Sequence, residues 1–225
     1  MNEPTQLNVA DTLVSRISHS LPGTYYGIVG RELAHHTSVL DIACGAGIPM
    51  RTLNRTKQFR VTGVDMFDAY LATAKQSGFY DQVVNADIRH LPFPNKSFDV
   101  VMALQIIEHL EKHEGLAFVR ELERVARDKV IIATPVGFVK QEGYDHNDLQ
   151  EHKSGWEPDE MRSMGYRVIG QSWKVFHGNR WPAKLTQLWR PLGLLRDFTS
   201  FLVQPIIGRH PTWCFQMVCV KDIAP

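Results

Sequence analysis

Residues 39–47 read Val39-Leu40-Asp41-Ile42-Ala43-Cys44-Gly45-Ala46-Gly47, and the organisation of the chain can be worked outward from them. A short apolar run, 38–43, reaches an acid and then a glycine turn, which is the pattern of a strand feeding a helix. The small residues at 43, 45, 46 and 47 let a ligand approach the backbone without meeting a Cβ. The helix that follows, predicted to run to about Lys57, offers free N–H groups and the positive end of its dipole. The same rhythm continues downstream. Strands are predicted at 60–65, 82–86 and 98–104, with helices at 67–76 and 111–126. A fifth strand, 129–133, is stopped by Thr134-Pro135. Strands alternating with helices predict an α/β fold with a doubly wound, mostly parallel sheet. Right-handed crossovers then bring the loops after strands one, two and four to one edge.

Outside this core the signals change. Leu7, Ala10, Val14 and Ile17 recur at helical spacing and predict a leading helix, closed by the turn at Leu21-Pro22-Gly23. Residues 136–156 are polar and carry His146 and His152. A helix is expected near Pro158, a sixth strand at 166–173 and a seventh at 212–220. The chain has 225 residues, 44% hydrophobic and 22% charged, with a formal net charge of +1. That balance excludes a global basic field, so no nucleic-acid partner is expected. Cys44, Cys214 and Cys219 fit neither a disulfide nor a zinc pattern, which suits a reducing cytoplasm. Cys214 and Cys219, five apart on one strand, fall on opposite faces. The N-terminal residues lack signal-peptide order, and no apolar run is long enough to span a bilayer. The expected organisation is one domain over 1–225: a helical cap at 1–36, a cofactor-binding core at 37–134 and a helical insertion at 174–210 before the last strand.

Three acids end three consecutive strands: Asp41, Asp65 and Asp87. A dinucleotide fingerprint needs a third glycine where this chain has Met50. Asp41 would also repel a pyrophosphate. It suits a ligand that carries an ammonium group, as S-adenosylmethionine does beside its carboxylate and sulfonium. Asp65 in Gly63-Val64-Asp65 can accept two hydrogen bonds from a ribose diol. Asp87 can accept from an adenine amino group while Ile88 covers the ring. A turn-forming aspartate explains any one of these alone, but not three in this order.

The stretches VLDIACGAG, VTGVD, NADIRHLPFPNKSFDVVMALQIIEHL and KVIIATP, within residues 37–134, resemble the class I S-adenosylmethionine-dependent methyltransferases. The likeness is to the small-molecule subgroup that includes ubiquinone and menaquinone methylation enzymes. The resemblance implies a Rossmann-like seven-stranded sheet and S-adenosylmethionine as cofactor. By resemblance, Asp41, Ala43, Gly45 and Gly47 hold the methionine end, with Ala43 standing where the family has a glycine. Asp65, with Met66 beside it, would hold the ribose, and Asp87 and Ile88 the adenine. Gln105 would lie near the amino-acid part.

Methyl transfer asks the protein mainly to align nucleophile, methyl and sulfur. A base is needed only where the nucleophile must lose a proton, and His109 in Gln105-Ile106-Ile107-Glu108-His109 is the candidate. Some relatives carry E-x-x-E-H plus a later histidine as a divalent metal site. Here the first acid is Gln105, which weakens binding of a hard cation. No metal is therefore expected, with Glu108, His109 and His152 (or His146) as the alternative set. Residues 174–210 carry six basic residues against one acid, and Leu185, Leu188, Trp189, Leu192 and Leu195 recur at helical spacing. This predicts a wall for a hydrophobic or lipid-linked small-molecule acceptor, with peripheral membrane contact as a corollary. The competing functions are a nicotinamide oxidoreductase and a non-catalytic cofactor-binding module. The acceptor atom and the oligomeric state are not encoded legibly.

Overall fold

The computed structural model describes residues 23–143, 148–174 and 202–224. Among them, helix α1 (Tyr25–Leu33) precedes a central sheet. The sheet strands are β1 (Ser38–Ile42), β2 (Arg60–Asp65), β3 (Gln82–Asn85), β4 (Phe98–Leu104), β5 (Ala126–Pro135), β6 (Arg167–Trp173) and β7 (Cys214–Asp222). Helices α2 (Ile48–Leu53), α3 (Asp68–Ser77), α4 (Lys112–Val125) and α5 (Pro158–Ser163) connect them. The strand order is β3-β2-β1-β4-β5-β7-β6. The first five strands pair in parallel, and β7 runs antiparallel to both β5 and β6. This is the expected doubly wound, mostly parallel, seven-stranded sheet.

The apolar runs are continuous because both faces of the strands are covered. On β1 and β4, Leu40, Ile42, Val101 and Ala103 face one layer with Phe118, Leu122 and Trp156. Their neighbours Val39, Val100 and Met102 face the other, with Ile28, Leu33, Met50 and Leu53. Each such fully buried aliphatic side chain stabilises the fold by roughly 1.5–3 kcal/mol relative to exposure. Met50, the residue that breaks the dinucleotide fingerprint, is wholly buried and seats α2 on the sheet.

Three elements differ in extent from the sequence-based expectation, two of them for a visible reason. Helix α2 stops at Leu53 rather than Lys57 because the Asn54 amide clamps the next turn. Its Nδ2 donates to the Phe59 carbonyl and its Oδ1 accepts from the Phe59 N–H, both at 3.0 Å. Strand β5 runs from Ala126 through Pro135 instead of stopping before Thr134. The ladder steps past the proline, since Val136 N–H donates to the Phe215 carbonyl at 3.0 Å. The last strand lies two residues later than expected, at Cys214–Asp222. The leading helix at 7–20, His146 and most of the insertion at 174–210 lie outside the described residues.

At the N-terminal edge of the sheet, Asp99 joins β1 to β4. Its carboxylate accepts from Thr37 N–H, Thr37 Oγ1, Ser38 N–H and the Arg127 guanidinium. Burial opposes its ionisation, but these donors prevail and hold the carboxyl down at about 2. The polar cleft there, lined also by Arg60 and Asp81, is thus organised around a carboxylate already committed to the fold.

After β5, Trp156 returns to bridge Val136 and Gly137 and anchors the residues around it. Its indole is fully buried, donates to Ser154 Oγ at 3.1 Å and lies under the Lys112 ammonium. It fits because α4 has no side chain at Gly115: a Cβ there would stand 2.4 Å from Trp156 Cζ2. Gly115→Ala is therefore expected to lower stability by about 1–3 kcal/mol through overpacking, measured by urea unfolding; an unchanged midpoint would contradict this packing account.

Candidate active site

The glycine loop leaves β1 with alternate residues in left-handed backbone: Ala43 at φ 53°, Gly45 at 52° and Gly47 at 83°. Ala43 bears the cost of that conformation, roughly 1–2 kcal/mol for a residue with a Cβ. Two carboxylates fix the loop. Asp65, at the end of β2, accepts from Gly45 N–H and from Phe67 N–H, each at 2.9 Å. Asp41 lies buried beneath the loop and accepts from Tyr80 Oη at 2.7 Å. A Cβ at Gly47 would meet the Tyr80 ring at 2.8 Å, and one at Gly63 would meet both that ring and Cys44 Sγ at 2.9 Å. Those two glycines make room for the tyrosine, whereas Gly45 faces open space.

A cleft at the C-terminal ends of β1, β2 and β4 brings together Ala43, Gly45, Asp65, Met66, Asp87, Ile88, Gln105 and His109. Phe67, Tyr70, Arg89, Leu110 and Leu149 complete its walls. Eight of the ten residues singled out in the sequence line this one concavity. Asp41 and Gly47 do not; they shape the loop from below. Asp87 lines the cleft, but its carboxylate is already occupied, because Arg89 Nε and Nη2 bond both oxygens at 2.7–3.0 Å. The Arg89 guanidinium holds Asp87 below the usual carboxylate range and reaches on to Glu114.

His109 and its neighbours form a second, more buried cluster. His109 Nδ1 lies 3.0 Å from the Glu151 carbonyl, and His152 Nδ1 lies 2.7 Å from the Val139 carbonyl. A carbonyl only accepts, so each Nδ1 carries the proton and each Nε2 keeps a lone pair. The two rings meet edge to face, 4.7 Å apart. Burial lowers the pKa of His109 and favours its neutral form. Glu108 Oε2 accepts from Thr134 Oγ1 at 3.0 Å, while Oε1 is buried with no partner. One ligand atom from each of Glu108, His109 and His152 lies within 4.8 Å of the others. Gln105 donates to Gln216 Oε1 at 3.0 Å.

His152, named from the sequence in the alternative metal set, packs against His109. Tyr80, Arg89 and Thr134 were not foreseen. Gly63 inside a strand and Gly115 inside a helix were the available signals, since such glycines mark close approach.

Burial pushes the carboxyls of both Asp41 and Glu108 up to about 7, from values near 4 when exposed. Between about pH 4 and 7 the folded chain then holds protons that the unfolded chain has released. Stability from these two groups is greatest below that window and falls as pH rises through it. Melting temperatures of the ligand-free chain across pH 4.5–7.5 are expected to fall less steeply in Asp41→Asn and Glu108→Gln than in the parent. Equal slopes in all three would count against the burial of these carboxyls.

Residues 40–134, from β1 to the end of β5, match the family model of the methyltransferase domain. The chain is 24% identical over 201 residues to a sterol 24-C-methyltransferase of Eremothecium gossypii, covering 79% of this chain and 53% of that one. It is 24% identical over 166 residues to a ubiquinone biosynthesis O-methyltransferase of Rickettsia canadensis, covering 61% and 70%. The chain spans about half the length of several curated relatives it matches. A solved S-adenosylmethionine-dependent methyltransferase of Archaeoglobus fulgidus shares the fold at 16% identity, with a TM-score of 0.53 over 87% of this chain and 93% of that one. The glycine loop, the strand-end acids and all of the cleft except Leu149, Gln150 and Lys153 lie inside the matched region, so residues 40–134 form a methyltransferase domain similar to those of S-adenosylmethionine-dependent enzymes.

Proposed function

We propose that the chain, read as one methyltransferase domain, catalyses methyl transfer to a hydrophobic small-molecule acceptor. The observation that carries this reading is the single cleft shared by the glycine loop, Asp65, Ile88 and His109. The residues fit the cofactor. Gly45 faces open space where a side chain would obstruct a ligand. Each Asp65 oxygen uses one lone pair on a backbone N–H and keeps another for a ribose hydroxyl. Ile88 and Met66 offer apolar surface to a flat ring, and Asp87 can accept from an amino group that displaces one of the Arg89 N–H donors now on its carboxylate. S-adenosylmethionine, when bound, supplies an electrophilic methyl on a sulfonium that leaves with the electron pair of the broken carbon–sulfur bond. The chain's own task is to align the acceptor and exclude water. His109, whose neutral form burial favours, is suited to take the proton that a hydroxyl or amine acceptor must lose. The exposed apolar residues Met66, Phe67 and Leu149 at the cleft support a hydrophobic acceptor. So do the sterol and ubiquinone names of the relatives. No helix among the described residues is long and apolar enough to cross a membrane. Peripheral membrane contact through 174–210 stays part of the proposal.

Calorimetry is the direct test. S-adenosylhomocysteine should bind the chain, NAD should not, and Asp65→Ala should weaken binding by about tenfold or more by removing charge-assisted acceptors. Binding of NAD alone would overturn the proposal.

A second reading is favoured by the orphaned Glu108 Oε1 beside the imidazoles of His109 and His152. This carboxylate and bis-histidine set suits a divalent transition ion, with each imidazole oriented by a carbonyl behind it. Such an ion would act as a Lewis acid on an acceptor oxygen. Glu108, His109 and His152 would hold it, without Gln105. The expected result is about one equivalent of metal in the purified chain, lost in Glu108→Gln and His152→Ala, and activity abolished by a chelator. Metal-free protein with full activity in chelator would dispose of the metal, and His109→Ala then tests the base by its turnover rate.

A further inference from the structure

Two cationic side chains line the cleft, those of Arg89 and Lys153. Arg89 is committed: its guanidinium pairs with Asp87 at 2.7 Å and with Glu114 at 3.0 Å. Those are two of the three carboxylates that line the cleft. The third, Asp65, accepts from the backbone N–H groups of Gly45 and Phe67. Lys153 differs. It is exposed at the cleft, and among the described residues its ammonium has neither a hydrogen bond nor an ion pair.

The backbone that carries Lys153 is nonetheless fixed. Lys153 N–H donates to the Glu108 carbonyl at 2.8 Å, and Ser154 N–H donates to the same oxygen at 3.0 Å. The buried Trp156 follows three residues on. This pins Lys153 next to the Glu108–His109 pair, and its charge reaches the His109 ring. Burial is the main force keeping His109 neutral, and the charges of His152 and Lys153 act in the same sense. Ile106, Leu110 and Leu149 line the same cleft with apolar surface. The cleft thus presents three things to a ligand on the β4 side: apolar walls, the imidazole of His109 and one ammonium without a counter-ion.

An apolar body that carries one negative group complements this arrangement. We propose that Lys153 anchors a carboxylate on the acceptor, so that the substrate is a hydrophobic acid and not a neutral lipid. The proposal rests on the methyl-transfer reading above and specifies its substrate class. A carboxylate at Lys153 gains a charge-assisted hydrogen bond, and the apolar walls beside it weaken the screening by water. One ammonium matches one negative charge. A phosphate dianion calls for a second cation, and Arg89 is already held by two carboxylates. Lys153 is then an acceptor-binding residue, apart from the cofactor contacts on β1 and β2.

The experiment uses the full chain saturated with S-adenosylhomocysteine and two probes of one shape, 2-naphthoate and 2-naphthamide, which differ in charge. The naphthoate should bind about fivefold tighter, the upper range for an exposed ion pair, and the preference should shrink in about 0.5 M salt. Lys153→Met should erase the preference, leave S-adenosylhomocysteine affinity within about twofold and leave the melting temperature of the ligand-free chain unchanged, because the ammonium holds nothing in the fold. Absence of naphthoate binding, absence of preference in the parent chain, or a preference indifferent to salt overturns the proposal. A preference that survives in Lys153→Met overturns it by assigning the carboxylate to another group. A tenfold loss of S-adenosylhomocysteine affinity in Lys153→Met overturns it too, by assigning the ammonium to the cofactor. So does a marked fall in melting temperature, by assigning it to the fold. A parent chain that does not bind S-adenosylhomocysteine instead refutes the methyl-transfer reading itself, before the naphthalene probes are tried.

Discussion

The hydrogen bond from Gly45 N–H to Asp65 Oδ2 couples the two features on which the site depends. The loop after β1 must turn left-handed at three alternate residues, and such a turn has little to hold it in place. Asp65 supplies the tie from the neighbouring strand, and Tyr80 supplies the floor. The tyrosine ring occupies the space vacated by Gly47 and Gly63 and delivers its hydroxyl to Asp41. Each piece needs the others. Without the two glycines the ring has no room, and without the ring Asp41 is a buried carboxyl with no donor. The loop is therefore a small cooperative unit spanning β1, α2, β2 and Tyr80, two residues ahead of β3, not a flexible ribbon of small residues.

The same coupling explains what could be read from the sequence and what could not. Strands β1, β2 and β4 are spelled as unbroken apolar runs because both their faces are buried, and acids at their ends stand out against that background. Asp65, Asp87 and Ile88 were legible because strand ends lie at predictable places along one edge. Tyr80 was not, because its contact with Asp41 joins residues 39 apart, and nothing in its own neighbourhood announces it. Asp87 was legible as an acid at a strand end, but Arg89, two residues on, was not legible as the cation that occupies it.

The polar segment after β5 was the least legible part. Read locally, 136–156 has no periodicity and suggests a solvated loop. Its described end, residues 148–156, is seated by one apolar residue, Trp156, fitting against Gly115 of α4. From that anchor follow the hydrogen bonds of Lys153 N–H and Ser154 N–H to the Glu108 carbonyl, at 2.8 and 3.0 Å, and the seat of His152 against His109. A histidine 43 residues beyond Glu108–His109 becomes part of the same cluster through core packing, not through spacing.

Trp173 and Cys214 are register partners on adjacent antiparallel strands, although 40 residues separate them in the chain. Everything between them leaves and re-enters the sheet at one point, on the edge that carries the cleft. The entropy of closing such an excursion grows only logarithmically with its length, by about 0.6 kcal/mol per doubling. Insertions and deletions there leave the register of β6 and β7 unstrained and the cofactor strands untouched. In evolutionary terms, the stretch between β6 and β7 is a cassette: its length and composition can drift widely while the sheet that carries the cofactor strands stays the same.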